Sequence, residues 1–435
     1  MSNKVCPNHS FYFIIDVVCL TSVFYFDKIF KRAGEILMYK VLDLFAGCGG
    51  LSEGFVTAGF NVAASIEIDE KACETKRLNH PDTKVIQADL TQYSPTDLLE
   101  ETKIKEFDLI IGGPPCQGFS LIGTRLGTSK LGKFIEDPRN KLYKEFVKYV
   151  RFFQPKMFLM ENVPGLFSMH QGQIKEQILE DFSMDDPNGE FIGYEVKAQI
   201  VKAVEFGVPQ TRERAIFIGV RKDISVTFEH PSAVFTEDNY FTVRDAIGDL
   251  PKLGIKDGKP KVPYTQKTNK YLELLNGKAK RIKRNNGYEE GYLYNHVTRF
   301  HNDRDRDIFR MIEPFQKLKD LDPEIIPIRL RNGFDDFYRK MDFNKPSPTI
   351  IAHLYKDGLA FVHPDGEQAR SISIREAARL QSFPDSFVFV GTQSAMYKQI
   401  GNAVPPLLGY HLALHIKKIL KEIKKGAELL DQCVV

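Results

Sequence analysis

The chain has 435 residues, 43% of them hydrophobic and 27% charged, an ordinary balance for a soluble globular protein with room for more than one domain. Its net charge of +3 is too small to identify a nucleic-acid partner, so local charge has to carry that question. The six cysteines (Cys6, Cys19, Cys48, Cys73, Cys116 and Cys433) form no C-x-x-C pair. That argues against structural zinc and for a reducing, cytoplasmic compartment, and no metal is expected.

Residues 1–37 do not match the rest of the chain. Phe11–Phe26 is strongly apolar but contains Asp16 and is shorter than the roughly 20 residues of a bilayer span, so no membrane attachment is expected. A basic start and a small-residue cleavage site, the marks of a signal peptide, are not evident. Gly34-Glu35 can be encoded as a bacterial ribosome-binding sequence, with Ile36-Leu37 as a spacer of about six nucleotides before Met38. The expectation is that Met38 is the native start.

From Tyr39 strands and helices alternate. Lys40–Phe45 reads as a strand closed by Ala46-Gly47-Cys48-Gly49-Gly50, followed by a helix carrying Leu51, Phe55 and Val56 and ending near Gly59. Val62–Ile66 is the second strand, with a helix from Asp69 to about Asn79. Lys84–Gln87 is the third, ending at Asp89, and Phe107–Ile111 the fourth. Arg139–Phe153 has apolar residues at helical spacing. Met157–Met160, Tyr194–Val201 and Ala215–Val220 complete the strands. The alternation predicts a parallel sheet with helices on both faces.

The glycine loop after the first strand suits a nucleotide-type ligand, because bare glycines let the backbone approach it and the next helix points N–H groups at it. Glu67 follows Gly47 by 20 residues, at the end of the second strand, where a carboxylate grips ribose hydroxyls. Asp89, at the end of the third strand, can reach a purine amino group. Together they predict an adenosine-containing cofactor, either a dinucleotide or S-adenosylmethionine.

The fourth strand runs into Gly112-Gly113-Pro114-Pro115-Cys116-Gln117. Two prolines fix φ just before a thiol flanked by glycines, a brace that a buried core cysteine does not need. Cys116 is therefore the candidate nucleophile.

Asp43–Gly50 and Gly113–Gln117 resemble the first and fourth motifs of the C5-cytosine DNA methyltransferase family. Glu161-Asn162-Val163 matches the family's Glu-Asn-Val, and Gln210–Arg214 its Gln-x-Arg-x-Arg. Arg375–Asp385 and Gly401–Val404 are similar to its ninth and tenth motifs, in the family's order over most of residues 39–416. The resemblance implies a Rossmann-like, S-adenosylmethionine-dependent α/β fold with a smaller, irregular target-recognition domain. It also implies transfer of a methyl group to C5 of a flipped-out cytosine in double-stranded DNA. Cys116 would add covalently to C6 of the base, Glu161 would engage N3 and the exocyclic amine, and Arg212 and Arg214 would fix the base carbonyl and a nearby phosphate.

Cofactor contacts carry over to Phe45, Ala46, Gly47, Gly49 and Leu51 around the methionine part, Glu67 at the ribose, and Asp89 and Leu90 at the adenine. Leu142 falls near the methionine, and Asn402 and Ala403 close the site. Where the family often has an aromatic residue stacking on adenine, this chain has Ile68, which packs but cannot stack.

Between Arg221 and about Phe343 the rhythm fades. Residues 261–310 hold twelve Lys and Arg against six Asp and Glu, interleaved with Tyr271, Tyr288, Tyr292, Tyr294 and Phe300. Such a mixture suits DNA backbone contact and groove reading. Arg329, Arg331 and Arg339, around an Asn332-Gly333 turn, are candidates for base or phosphate contact. Ser347–His353 returns the chain to the shared frame.

The expected organisation is an extension over 1–37, a catalytic and cofactor-binding domain over 38–224, target recognition over 225–393, a C-terminal return over 394–420 and a tail over 421–435. The protein is expected to act as a monomer, with a cognate restriction endonuclease as the partner such a bacterial enzyme implies. The competing readings are a transfer-RNA cytosine methyltransferase, a non-catalytic module of the same fold and a nicotinamide dehydrogenase. The transfer-RNA branch carries a Cys-Phe-Thr signature in its recognition region, but no cysteine lies between Cys116 and Cys433 here. Intact Cys116, Glu161 and Arg214 argue against a non-catalytic module, and the Pro-Pro-Cys turn argues against a dehydrogenase.

Overall fold

Val41–Leu44 are all buried, as expected of a strand covered on both faces, and this strand, β1 (Lys40–Leu44), lies inside the sheet between two parallel neighbours. The structure, a computed structural model, describes residues 38–115, 142–186, 189–265, 267–277, 279–314, 316, 318–322, 324, 326 and 338–433. Residues 1–37 and 116–141 lie outside that set, and with them the N-terminal extension and Cys116. Tyr39–Val435 form a compact unit of their own.

The other strands of the main sheet are β2 (Asn61–Glu67), β3 (Lys84–Gln87), β4 (Leu109–Gly112), β5 (Met157–Asn162), β6 (Tyr194–Lys202) and β7 (Glu213–Arg221). They lie in the order β3-β2-β1-β4-β5-β7-β6. β1 to β5 are parallel to one another, but β7 runs antiparallel to both β5 and β6. The all-parallel expectation is therefore corrected at this edge. A short link, Ala203–Arg212, joins β6 to β7, and antiparallel neighbours need no crossover helix.

Side chains alternate across the sheet with the two-residue period of a strand. Val41, Ile111, Leu159 and Ile218 face one core with helix α1 (Gly50–Thr57), while Leu42, Ile110, Phe158 and Phe217 face another. Between the strands come α2 (Glu70–Asn79), α3 (Pro95–Thr102), α4 (Leu142–Phe153) and α5 (Gln173–Ser183). Helices α3 and α5 were not expected from the sequence, although Ser94 and Asp97 form a complete capping box at the start of α3.

After β7 come α6 (Val243–Ile247), β8 (Lys261–Pro263), α7 (Lys270–Gly277), β9 (Tyr292–Tyr294) and α8 (Asp303–Met311). β8 and β9 make a separate two-stranded sheet. The chain ends in α9 (Ile374–Leu380), α10 (Gln393–Asn402) and α11 (Pro406–Cys433). Ser347 and Ile350 already hydrogen-bond to Pro209, Thr211 and Gln210, so the polypeptide returns to the link between β6 and β7 well before residue 394. None of the described helices is long and apolar enough to cross a membrane.

Candidate active site

Strand register gathers the motif residues at one end of the sheet. Leu44 pairs with Ile66 on one side and with Gly112 on the other, and Gly112 pairs with Met160. The next residues along these strands are therefore Phe45, Glu67, Gly113 and Glu161. β2 pairs Glu67 with Gln87, so Ala88, Asp89 and Leu90 follow at the same level. Strand order reverses between β1 and β4, and such a switch point opens a crevice beyond the carboxyl ends of the strands.

The loop from Phe45 to Gly50 is tightly specified. Phe45 is left-handed at φ 55°, a conformation that costs about 1–3 kcal/mol for a residue with a side chain. Gly49, at φ 98°, caps α1, and a Cβ there would sit 3.2 Å from the His80 ring. Glu67 ties the loop to β2: its Oε2 accepts from the Gly47 N–H at 2.8 Å, and its Oε1 accepts from the N–H groups of Ile68 and Asp69 at 2.9 and 2.8 Å. Burial pushes its carboxyl above the usual range, although these N–H groups favour the anion.

These residues fit the adenosine part of S-adenosylmethionine. Oε2 of Glu67 keeps acceptor capacity for a hydroxyl, and the space beyond Gly47 is open, with nothing within 4 Å of a Cβ built there. Ile68 is 62% exposed at the crevice edge, an apolar surface that adenine could cover. Asp89 is exposed, with Oδ1 taken by the N–H and hydroxyl of Thr91, while Leu90 is buried beneath it. The Leu51 side chain is packed against Gly409 of α11, which leaves its main chain to serve a ligand. Ala46 is buried and donates its N–H to Ile66. Leu142 opens α4 one turn before Phe146, which reaches Gly112.

Beside the crevice, Arg214 Nε lies 2.5 Å from Glu161 Oε1, both side chains being 12% exposed. Burial lowers the Arg214 pKa against the pull of Glu161, yet a guanidinium remains charged. A Cβ on Gly113 would come within 2.9 Å of Glu161 Oε2, so a side chain there would push the carboxylate aside. Asn162 Nδ2 donates to the Pro114 carbonyl at 3.3 Å. The turn is thereby anchored to β5 two residues before Cys116. Cys116 itself lies outside the described residues.

Arg212 does not face the crevice with Arg214. It is 2% exposed and donates from Nη1 to the Ile350 carbonyl at 2.8 Å and from Nη2 to the Ala403 carbonyl at 3.0 Å. The expected base or phosphate contact is corrected to a buried tie between the returning chain and the C-terminal loop. Arg212 and Arg214 part according to what packs beside each. Ala403 and Val404 touch Gly50, while Asn402 stays exposed at the end of α10.

The basic segment is also more structural than its charge suggested. Lys261 pairs with Glu289, Lys280 with Glu290, Arg306 with Asp303 and Arg310 with Asp307. Tyr271 and Tyr294 are core residues, whereas Phe300 is 65% exposed. Arg339 is exposed; Arg329, Arg331 and Asn332-Gly333 lie outside the described residues. Among the described residues no group of three or more His, Cys, Asp or Glu is placed to hold a metal ion.

Sequence reasoning missed a buried cluster under the glycine loop. Lys76 Nζ and Ser52 Oγ both donate to Asp43 Oδ2, at 2.8 and 2.5 Å. The available signal was Asp43 itself, a single carboxylate inside an otherwise apolar strand.

A family model described as C-5 cytosine-specific DNA methylase matches residues 39–418. The Type II methyltransferase M1.HphI of Haemophilus parahaemolyticus is 36% identical over 93% of this chain and 95% of its own length. Type II methyltransferase M.DdeI of Desulfomicrobium norvegicum is 36% identical over 88% of this chain and 90% of its own. A crystal structure described as a DNA modification methyltransferase encoded in an E. coli prophage superposes with a TM-score of 0.67, at 27% identity, over 88% of this chain and 99% of that one.

Proposed function

The chain belongs to the C-5 cytosine-specific DNA methylase family, and from that premise we propose that it methylates cytosine in duplex DNA through a covalent bond from Cys116 to C6 of an extruded base. It is a DNA (cytosine-5)-methyltransferase of the type II restriction–modification kind. The observation that carries the covalent reading is the Glu161–Arg214 pair at the end of β5 and β7, beside the anchored turn that leads to Cys116.

Cytosine C5 is too weak a nucleophile to take a methyl group unaided. Addition of the Cys116 thiolate to C6 moves the C5–C6 π electrons to C5, which then carries enamine character. Glu161, hydrogen-bonded to N3 and the exocyclic amine, stabilises the charge that builds on the ring. Arg214 orients Glu161 and keeps guanidinium donors for the base carbonyl. S-adenosylmethionine, when bound, supplies the methyl as a sulfonium-activated electrophile; Glu67 would hold its ribose, and Ile68, Asp89 and Leu90 its adenine. Phe45, Ala46, Gly47, Gly49 and the Leu51 main chain would surround the methionine part with Leu142, and Asn402 and Ala403 would close the site. After transfer, loss of the C5 proton pushes the thiolate off C6 and restores the aromatic ring.

A stacked cytosine offers no access to C6 from above its ring, so the nucleotide must leave the duplex, at a cost of a few kcal/mol. The segment from about 225 to 345 would supply sequence recognition. A cytoplasmic monomer working beside a restriction endonuclease of the same specificity completes the proposal.

Cys116→Ser should abolish methylation, because an alkoxide forms far less readily than a thiolate at neutral pH. DNA and cofactor binding should survive, and a duplex containing 5-fluorocytosine should trap the unmodified enzyme covalently. Turnover by the serine variant close to that of the parent would remove Cys116 from the mechanism. Labelled methyl transfer to transfer RNA in place of duplex DNA would overturn the substrate. Glu67→Ala should weaken S-adenosylmethionine binding by about 1.5–3 kcal/mol, the range for hydrogen bonds to a charged group, and calorimetry checks it.

A further inference from the structure

Arg284 belongs by sequence to the basic recognition segment, yet its guanidinium is 5% exposed and grips Glu53 in the first turn of α1. Nη2 donates to Oε1 at 2.6 Å and Nη1 to Oε2 at 3.0 Å. Glu53 is 1% exposed and lies four residues after Gly49, whose carbonyl accepts the Glu53 N–H at 2.8 Å. His80 fills the space between them. Its Nε2 is 3.4 Å from Glu53 Oε2, and its ring is where a Cβ on Gly49 would press. Burial, with Arg284 and Lys76 nearby, holds the His80 pKa well below its ordinary value. The ring is therefore neutral, and Arg284 is the cation bonded to Glu53.

The neighbours of Arg284 add to this seat. The Asn285 N–H donates to the Leu78 carbonyl at 2.8 Å. Asn286 Nδ2 donates to Asn79 Oδ1 at 2.7 Å and to the Ser386 carbonyl at 2.8 Å. Three consecutive residues of the recognition segment thus dock on the end of α2, next to the glycine loop.

We propose that Arg284 is a positioning residue for the cofactor loop: seated on Glu53, it holds the first turn of α1 and the Gly49 bend in their ligand-ready form, so that recognition-segment docking and S-adenosylmethionine binding are coupled. The coupling is reciprocal, because whatever docking does for cofactor affinity the cofactor does for docking. The proposal rests on the glycine loop being the S-adenosylmethionine site. Binding by the unmodified full-length chain is therefore measured first, and failure there would count against that assignment, not against the Arg284 seat.

Arg284→Met leaves a buried carboxylate unpaired, which is costly for folding as well as for the loop. The deciding variant is the double substitution Glu53→Gln with Arg284→Met, which removes the unpaired charge. Its thermal midpoint should return close to the parent's while its Kd for S-adenosylmethionine by calorimetry stays roughly tenfold weaker, about 1.4 kcal/mol. Arg284→Lys, which reaches one carboxylate oxygen where Arg284 reaches two, should fall between. KM for S-adenosylmethionine should rise with little change in kcat. A double variant, or Arg284→Lys, that is as stable as the parent and binds the cofactor with the parent's Kd would overturn the proposal.

Discussion

Two regions of this molecule use charge in opposite ways. At the carboxyl ends of β2, β3 and β5, acidic residues sit at the crevice: Glu67 and Glu161 are partly exposed and Asp89 is open, each placed by strand register. In the segment from 261 to 310, cations outnumber anions two to one, yet several turn inward. Arg284 holds Glu53, and Arg299 donates to the Leu354 carbonyl at 2.7 Å while stacking on Tyr397. Lys261 lies 4.2 Å from the centre of the Tyr292 ring. A composition count cannot separate these uses, because a cation that neutralises a buried carboxylate and one that meets a phosphate are the same letter. A sheet leaves less freedom: once β1 to β5 pair, the residue after each strand has a fixed place.

The largest expected effect tests the claim that Arg212 belongs to the scaffold. Arg212→Met would leave the buried Ile350 carbonyl without its donor and take from the Ala403 carbonyl one of two, Gln381 Nε2 remaining at 2.7 Å. At about 1–3 kcal/mol for an unsatisfied buried group, the loss of stability should be about 1–3 kcal/mol by urea denaturation. Arg214→Met should instead cost mainly rate, since its guanidinium stands at the crevice. If Arg212→Met unfolds at the parent's midpoint yet fails in catalysis, the guanidinium serves the base after all.

Much of the main sheet could be read from the sequence. Apolar runs ending in Gly, Glu or Asp placed β1 to β5 within about two residues, and those ends turned out to be the crevice. What could not be read was set by contacts far apart in the chain. The antiparallel entry of β7 between β5 and β6 has no local signature, since Glu213–Arg221 is an apolar run like the others. Arg212 and Arg214 differ only in what packs beside them. In the same way, Arg375 and Arg379 in α9 look like surface charges, yet both are fully buried. Arg375 donates to the carbonyls of Tyr294, Pro384 and Phe387, and Arg379 pairs with Asp249 and Asp385.

A second expected effect concerns pH. His301 lies in the recognition segment and His363 in the part of the chain that returns from it, and burial lowers both from 6.5 to about 4. A histidine with a depressed native pKa binds more protons when unfolded, so stability rises with pH between those two values. Going from pH 7 to pH 5 should therefore destabilise the protein, by about 1–2 kcal/mol for each histidine that follows its shift. His363 accepts from the Asp365 N–H through Nδ1 at 3.1 Å, which is the neutral tautomer's pattern. His363→Gln should flatten the pH dependence of the urea midpoint in this window. A slope as steep as the parent's would place the titration elsewhere.

The smallest effect separates the two uses of charge within the recognition segment itself. Lys280 and Lys283 are both exposed, and by composition alone they are equal candidates for phosphate contact. Lys280, however, lies 3.0 Å from Glu290, the two side chains being 63% and 82% exposed. An exposed pair of this kind is worth about 0–1 kcal/mol, so it forms and breaks easily, but Glu290 still cancels most of the field Lys280 offers to DNA. Removing both members should leave the dependence of DNA affinity on salt close to the parent's. Lys283→Ala should lower the slope of log affinity against log salt by about one and weaken binding to all sequences alike, as expected when one phosphate contact is lost. Fluorescence anisotropy with cognate and unrelated duplexes at several salt concentrations measures both. If the Lys280–Glu290 double variant loses a full unit of slope while Lys283→Ala loses none, Lys280 leaves its partner on the DNA and the pairing seen here is a resting-state contact.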